Sequence, residues 1–349
     1  ELAKLSLWLH TVAKNEPLSF LDHHLRTGDS LIGIGVEEMK TMPSEREQMA
    51  GLFTSNLVKD LGNAIGHLNL IEEITSGSRE DVQEKKAEWR DVRNWIDKYK
   101  KAANVRLSTA FDNEVNDDEY REVLQADAND NLGSVENRDF FQKAQEIAKD
   151  HSFFHWELAF PDVFRNETGK ARNEKGFNAL IGNPPYIKTH NLPKYYRSFL
   201  NTKYDIASQT KQPDIYQVFV EKSEVLTSKN NFSLIVPSLF YNGVQYSFFR
   251  KKLMDYGISK IVDCGDEVFE DVGMPTGIIK FIKGSKEFEV YKLYSSDINS
   301  LSYQKTTDYQ FVEQNPSYQF APYSDSNSEK ILAKLNQTET RVRDKFDWL

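Results

Sequence analysis

Asn183, Pro184, Pro185 and Tyr186 stand in a row at the end of an apolar run, residues 177–181, and together they offer two hydrogen-bond acceptors beside an aromatic face. Proline fixes its own φ and pushes the residue before it towards extended backbone, so the double proline aims the Asn183 amide and the Pro184 carbonyl in one direction. Pro184 also lacks an N–H, which leaves the corner rich in acceptors. A planar base with an exocyclic amino group suits that set: the Asn183 side-chain oxygen and the Pro184 carbonyl each accept one N–H while Tyr186 stacks on the ring. Accepting both protons localises the nitrogen lone pair and makes the nitrogen a better nucleophile. The plainer alternative is a proline-rich turn that merely ends a strand, which is the common meaning of an isolated Pro-Pro pair.

Such a corner needs a scaffold, and the second half of the chain reads as strands alternating with helices. Apolar runs of strand length fall at 177–181, 232–236, 260–264, 277–282 and 288–293, and the helix-patterned "DIYQVFVEKSEVLTSK" separates the first two. That alternation predicts an α/β architecture with a mostly parallel sheet covered on both faces. The short "KGSKE" turn between the last two runs predicts an antiparallel hairpin at the sheet edge. In an open α/β sheet ligands bind beyond the carboxyl ends of the strands, where the Asn-Pro-Pro-Tyr tetrad falls. Past residue 300 the periodicity fades, and residues 322–330 read as a linker before one final helix.

The first half has a different rhythm. "ELAKLSLWLH" carries leucines at helical spacing, as if a helix were already under way, and residues 31–34 form a short apolar run between glycines. Ser44 with Glu47 three residues on predicts a capping box after Pro43. Phe53, Leu57, Leu61, Ala64, Leu68 and Ile71 then keep a three-four spacing. After the break at 75–78, Val82, Trp89, Val92, Ile96, Tyr99 and Ala103 repeat it, which predicts an antiparallel helical hairpin. Shorter helices follow near 113–126 and 138–150. A solvated helical insertion accounts for this region, residues 36–150, more simply than a dedicated partner-binding coiled coil.

With 349 residues the chain can hold more than one core, and 39% hydrophobic with 28% charged residues suits a soluble globular protein. Cys264 is the one cysteine, so no internal disulfide or cysteine-based zinc site can form, and a reducing, cytoplasmic setting is expected. No stretch approaches the ~20 apolar residues that span a bilayer, and the start carries no signal-peptide pattern. The net charge of −9 is uneven: residues 183–260 hold 11 Lys and Arg against 5 Asp and Glu, so that region could face phosphates. Within it "KTHNLPKYYRSFLNTK" interleaves basic and aromatic residues, with Lys188 and Lys194 as candidate DNA contacts and a solvated helix-loop as the alternative. His23–His24 and His151/His155 lack further ligands at metal spacing, so packing or surface roles and no metal are expected. Asp22 with His23 and the scattered serines make no recognisable nucleophile arrangement, and no PD…(D/E)xK nuclease pattern stands out.

"ALIGNPPY" resembles motif IV of the amino-methyltransferases that use S-adenosylmethionine, in the N6-adenine DNA methyltransferase group. Glutamine methyltransferases of peptide release factors share the tetrad, so its surroundings carry the distinction. "LAKLSLWLHT…PLSFLDHHLRTGDSLIG", "FFHWELAFPDVF" and "PDIYQVFVEKSEVL…FSLIVP" are similar to successive blocks of the large type IIG restriction–modification enzymes and related phage-defence methyltransferases. The resemblance covers residues 1–35 and about 151–285, with the blocks in family order. It implies a partial Rossmann-like class I methyltransferase sheet with a large α-helical insertion: core parts at 1–35 and 151–300, the insertion at 36–150, and a linker with the start of a C-terminal region at 301–349.

By the same resemblance "TGDSLIG" is motif III, which places Asp29, with Ser30, against the adenine amino group of the cofactor; a simple turn is the alternative for Asp29. "PDIYQVF" is similar to motif V, so Asp214, Ile215 and Tyr216 would border the cofactor pocket, with an ordinary helix start capped by Asp214 as the alternative. "FSLIVPSLF" resembles motif VI. "EVFEDVGMPTGIIKF" resembles motif VIII and makes Phe269 the aromatic packed on the flipped base, with a core position as the alternative. The glycine-rich motif I and the motif II acid are absent, and "LIGIG" at 31–35 does not replace them. The chain reads as starting after motif II, so poor cofactor binding by this segment alone is expected. The implied reaction is methyl transfer from S-adenosylmethionine to N6 of an adenine flipped out of double-stranded DNA, at a cost of a few kcal/mol for unstacking, with no metal. The implied partners are that DNA and the N-terminal and recognition domains of a longer parent. The alternatives are an inactive DNA-binding or scaffold fragment, or methylation of a protein glutamine or of RNA.

Overall fold

Helical periodicity shapes the first half of the chain and alternating burial the second. The computed structural model describes residues 2–11, 20–48, 51–75, 77–266, 274–295, 297–314, 317–320 and 322. They divide into two units, Glu1–Lys175 and Gly176–Leu349.

In the first unit α1 (Leu2–Thr11) and the short α2 (Val36–Met39) precede the long pair α3 (Leu52–Glu73) and α4 (Arg79–Ser108). The predicted apolar rhythm is buried: Phe53, Leu57, Leu61, Ala64, Leu68 and Ile71 on α3 face Val92, Ile96, Tyr99 and Ala103 on α4. Phe53 meets Tyr99 at 6.0 Å between ring centroids, while His67 bonds Glu88 at 2.6 Å, so the pair runs antiparallel. Ser78 starts α4 through a capping box with Asp81, whose N–H it accepts at 3.0 Å. The box expected at Ser44 and Glu47 does not form. Ser44 instead donates its N–H and hydroxyl to Asp117 at 2.9 and 2.6 Å, at the first turn of α5 (Asp117–Ala128), and α3 begins later, behind Gly51. Next come α6 (Asp139–Asp150), α7 (Trp156–Ala159) and α8 (Pro161–Phe164).

Residues 20–35 pack within this same unit. The Arg26 guanidinium sits 4.2 Å from the Trp89 ring centroid and 5.4 Å from that of Phe160, and it donates to the Ala159 carbonyl. The apolar run at 31–34 lies in a loop. Just before it a parallel bridge joins Asp29 to Phe153.

The second unit builds a six-stranded sheet in the order β1-β2-β4-β3-β5-β6. In chain order its elements are β1 (Leu180–Gly182), α9 (Lys194–Lys203), α10 (Asp205–Gln209), α11 (Ile215–Leu226), β2 (Phe232–Pro237), α12 (Ser247–Tyr256), β3 (Ile258–Gly265), β4 (Thr276–Phe281), β5 (Glu287–Leu293), β6 (Leu301–Asp308) and α13 (Tyr309–Glu313). The fold is thus mixed α/β, with three departures from expectation. First, β1–β2 and β3–β5 are parallel whereas β2–β4, β3–β4 and β5–β6 are antiparallel. Second, β4 and β5 form no hairpin: β5 passes β4 and pairs in parallel with β3, and its antiparallel edge partner is β6. Third, among the described residues one face carries the packed core. Phe232, Leu234, Val236, Ile261, Ile279, Phe281, Phe288 and Val290 bury against Tyr216, Val220, Phe249, Leu253 and Val312. On the opposite face Lys260 and Tyr291 are half-exposed and Ile278 is exposed among the described residues.

Two details shape the carboxyl edge. The strand before the tetrad looks buried in sequence, yet among the described residues β1 is an edge strand paired with β2, and Ile181 is 87% exposed. Arg250, fully buried on α12, donates to the carbonyls of Phe240, Gly243, Ser317 and Tyr318, which fixes the loop leaving β2. Such burial without a carboxylate disfavours the charged guanidinium and lowers its pKa to about 10, so the cation persists at neutral pH. No helix among the described residues is long and apolar enough to cross a membrane. The expected final helix beyond 330 lies outside the described residues.

Candidate active site

β1 ends at Gly182, and the tetrad leaves its carboxyl end as irregular backbone. Asn183 is exposed, Pro184 is buried beneath the corner, and Tyr186 is half-buried. Among the described residues nothing hydrogen-bonds the Asn183 side chain, whereas Tyr186 is held twice. Its hydroxyl donates to the Ile235 carbonyl on β2 at 3.1 Å, and its ring meets Tyr216 edge-on at 6.4 Å. Burial, helped by the neighbouring Cys264 thiol, pushes the Tyr186 hydroxyl above its ordinary pKa, which keeps it a donor. The ring is therefore fixed while the amide beside it stays available.

The segment after the tetrad is tied to the start of α11. Lys188 and Asp214 form an antiparallel bridge, Ile215 N–H donates to the Ile187 carbonyl at 2.9 Å, and Thr189 N–H donates to Pro213 at 3.1 Å. Lys188 Nζ also donates to Asp214 Oδ2 at 2.8 Å. Burial opposes the Lys188 charge, but the bond and charge of Asp214 outweigh it and raise the ammonium pKa. Gln217 closes the turn by accepting the Asp214 N–H at 2.8 Å, and the Tyr246 hydroxyl approaches Asp214 Oδ2 at 3.5 Å. Asp214 is 7% exposed and Tyr216 1%, so their side chains shape a wall instead of presenting free polar groups.

Lys194 opens α9 and is exposed. With His190, Arg197 and Lys211 it lines an open cavity of ≈ 700 Å³. Phe269 lies outside the described residues.

Asp29 and Ser30 belong to the other unit. Asp29 Oδ1 accepts Leu31 N–H at 3.0 Å, closing its own turn, while its backbone N–H donates to Ser152 at 2.7 Å. Ser30 gives its carbonyl to Trp156 Nε1 at 3.0 Å, and Ile34 N–H donates to His155 Nδ1 at 3.2 Å. The "TGDSLIG" and "FFHWELAF" blocks, at residues 27–33 and 153–160, are thus hydrogen-bonded to each other. Asp29 acts as a turn-former whose carboxylate remains half-exposed.

Sequence reasoning missed three participants. Tyr246 at Asp214 carries no motif signal. Trp156 was visible only as part of a block, and Gly33 only as a flank, although a Cβ there would fall 1.9 Å from the Phe154 carbonyl oxygen.

The family model of the Eco57I restriction-modification methylases matches residues 1–269, and the chain belongs to that family. A Methanocaldococcus jannaschii protein named as a type II restriction enzyme and methyltransferase is 25% identical over 288 residues, 72% of this chain. The chain spans 22% of that relative's length. Among solved structures the chain is similar to the type IIG restriction endonuclease BpuSI, at 13% identity and a TM-score of 0.35, over 77% of this chain and 44% of that one. It is also similar to the type IIL restriction-modification enzyme MmeI, solved in complex with DNA, at 12% identity and a TM-score of 0.31, over 70% and 40% of the two chains.

Proposed function

We propose that the chain carries the amino-group-binding part of an S-adenosylmethionine-dependent methyltransferase acting on adenine N6 in double-stranded DNA, within a restriction–modification or phage-defence enzyme of the reducing cytoplasm. The observation that carries this reading is the exposed Asn183 amide on a double-proline corner at the carboxyl end of β1, beside a Tyr186 ring fixed by β2 and Tyr216. Asn183 Oδ1 and the Pro184 carbonyl accept the two amino protons of a flipped adenine, and Tyr186 covers the ring. Pro185 holds the direction of both acceptors. Bound S-adenosylmethionine supplies the electrophilic methyl group. Within the second unit the buried Asp214 and Tyr216 would border the cofactor. Lys194 and its basic neighbours face phosphates, with Phe269 as second aromatic partner of the base. Rate enhancement comes from positioning and lone-pair activation.

The test uses the intact protein that carries this chain, tritiated S-adenosylmethionine, and nucleoside mass spectrometry of the DNA product. N6-methyladenine is expected, with transfer reduced about 100-fold or more in Asn183→Ala. Label on cytosine or on protein, or an Asn183→Ala protein of undiminished rate, would overturn the reading.

A further inference from the structure

The first unit brings Glu72 to two adjacent histidines, His23 and His24, nearly fifty residues earlier in the chain. Residues 21–25 form a tight turn, closed by His24 and Leu25 N–H groups donating to the Leu21 carbonyl at 3.1 Å each. The turn sets His23 and His24 side by side, with ring centroids 3.8 Å apart. Glu72, in the last turn of α3, completes the group. Its Oε1 lies 2.7 Å from His23 Nε2 and 3.4 Å from His24 Nε2, and one ligand atom from each residue falls within 4.8 Å of the others.

We infer that His23, His24 and Glu72 form a site for a borderline divalent transition metal, with zinc as the reference ion. Zinc takes imidazole nitrogen and carboxylate oxygen at about 2.0–2.2 Å, which in a tetrahedron spaces neighbouring ligand atoms by roughly 3.3 Å. The two distances to Glu72 bracket that spacing, so small side-chain rotations accommodate the ion. Two nitrogens and one oxygen suit zinc, cobalt, nickel or copper better than the oxygen-seeking calcium or magnesium.

The site is rigid on one side and open on the other. His23 is 7% exposed, and Phe20 stacks on its ring at 5.5 Å and 12° between planes. The His24 and Glu72 side chains are 59% and 62% exposed, which leaves room for water or an outside ligand in the remaining position. Lys85, itself buried, is the cation facing His23, and its charge opposes a dication. It weakens the site without occupying a ligand position. A bound ion clamps the turn at 21–25 to α3, four residues before Asp29, so the site would stabilise the segment that carries the Asp29 turn.

The experiment strips the full chain with a chelator and titrates zinc against a colorimetric competitor, with cobalt absorption as a second readout. His24→Ala and Glu72→Gln remove exposed ligands and leave the core intact. His67→Ala is the control, since His67 also pairs with a carboxylate, that of Glu88. One equivalent of zinc is expected on the wild type and on His67→Ala, with binding weakened at least about tenfold in His24→Ala and Glu72→Gln. Unchanged affinity in those two variants, no binding by the wild type, or loss of the equivalent in His67→Ala would overturn the inference.

Discussion

Lys188 and Asp214 are joined twice, by a backbone bridge and by a 2.8 Å ion pair, so the segment that follows the tetrad is tied to the start of α11. The Lys188 side chain is 46% exposed, and solvent screening limits such a pair to about 0–1 kcal/mol of stability. Its larger effect is on position. Lys188→Met is expected to leave the denaturation midpoint nearly unchanged and to slow methyl transfer by the intact protein. A variant with the wild-type rate would show that the pair does not hold the corner.

Tyr186 separates two roles that one residue combines. Tyr186→Phe loses the hydroxyl bond to Ile235 but keeps the ring, at a cost of about 0.5–1.5 kcal/mol in stability and with most of the transfer rate retained. Tyr186→Ala also loses base stacking, worth about 1–3 kcal/mol, and should weaken productive DNA binding by roughly 5- to 150-fold. Equal damage in the two variants would mean that the hydroxyl, not the ring, matters to the reaction.

The parts of this architecture that were legible in the sequence rest on local periodicity. The apolar spacing of Phe53 to Ile71 and of Val92 to Ala103 predicts the α3–α4 pair, because one buried face at helical spacing is a property of the segment itself. The core strands β2, β3, β4 and β5 are visible for the same reason. Their partners are not: residues 283–287 look like a hairpin turn, yet β5 finds β3, since pairing depends on where distant strands already lie. Ser44 has the residues of a capping box, and Asp117, 73 positions away, takes its hydrogen bonds. Asn183 and its prolines stand out because their chemistry is contiguous; Tyr246 and Glu72 do not, because theirs exists only after folding.

Gly33 tests how tightly the Asp29 turn is specified. An added Cβ would lie 1.9 Å from the Phe154 carbonyl oxygen, and that residue is itself anchored by its N–H donating to Ile32 at 2.7 Å. Backbone must shift on one side or the other. Gly33→Ala is expected to destabilise the chain by about 1–3 kcal/mol in urea denaturation and to lower cofactor affinity in the intact protein. An unchanged midpoint would show that the two segments separate at little cost.

Asp127 makes the first unit sensitive to pH. It is fully buried on α5, and neither carboxylate oxygen has a hydrogen-bond partner among the described residues. Burial raises its pKa to about 7; Lys98 opposes the rise, and Asp130 and Asp60 add to it. An unfolded aspartate titrates near 4, so between about pH 4 and pH 7 the native state keeps a proton that the unfolded chain releases. The unfolded state then binds fewer protons, and stability falls as pH rises through that window and levels off above it. Asp127→Asn removes this contribution, so its stability advantage over the wild type should grow from pH 4 to pH 8 by on the order of 2–4 kcal/mol. Urea denaturation of both proteins at pH 4.5, 6 and 8, about the span of that window, reads the difference directly. Parallel stability profiles would show that Asp127 is ionised in the folded protein throughout.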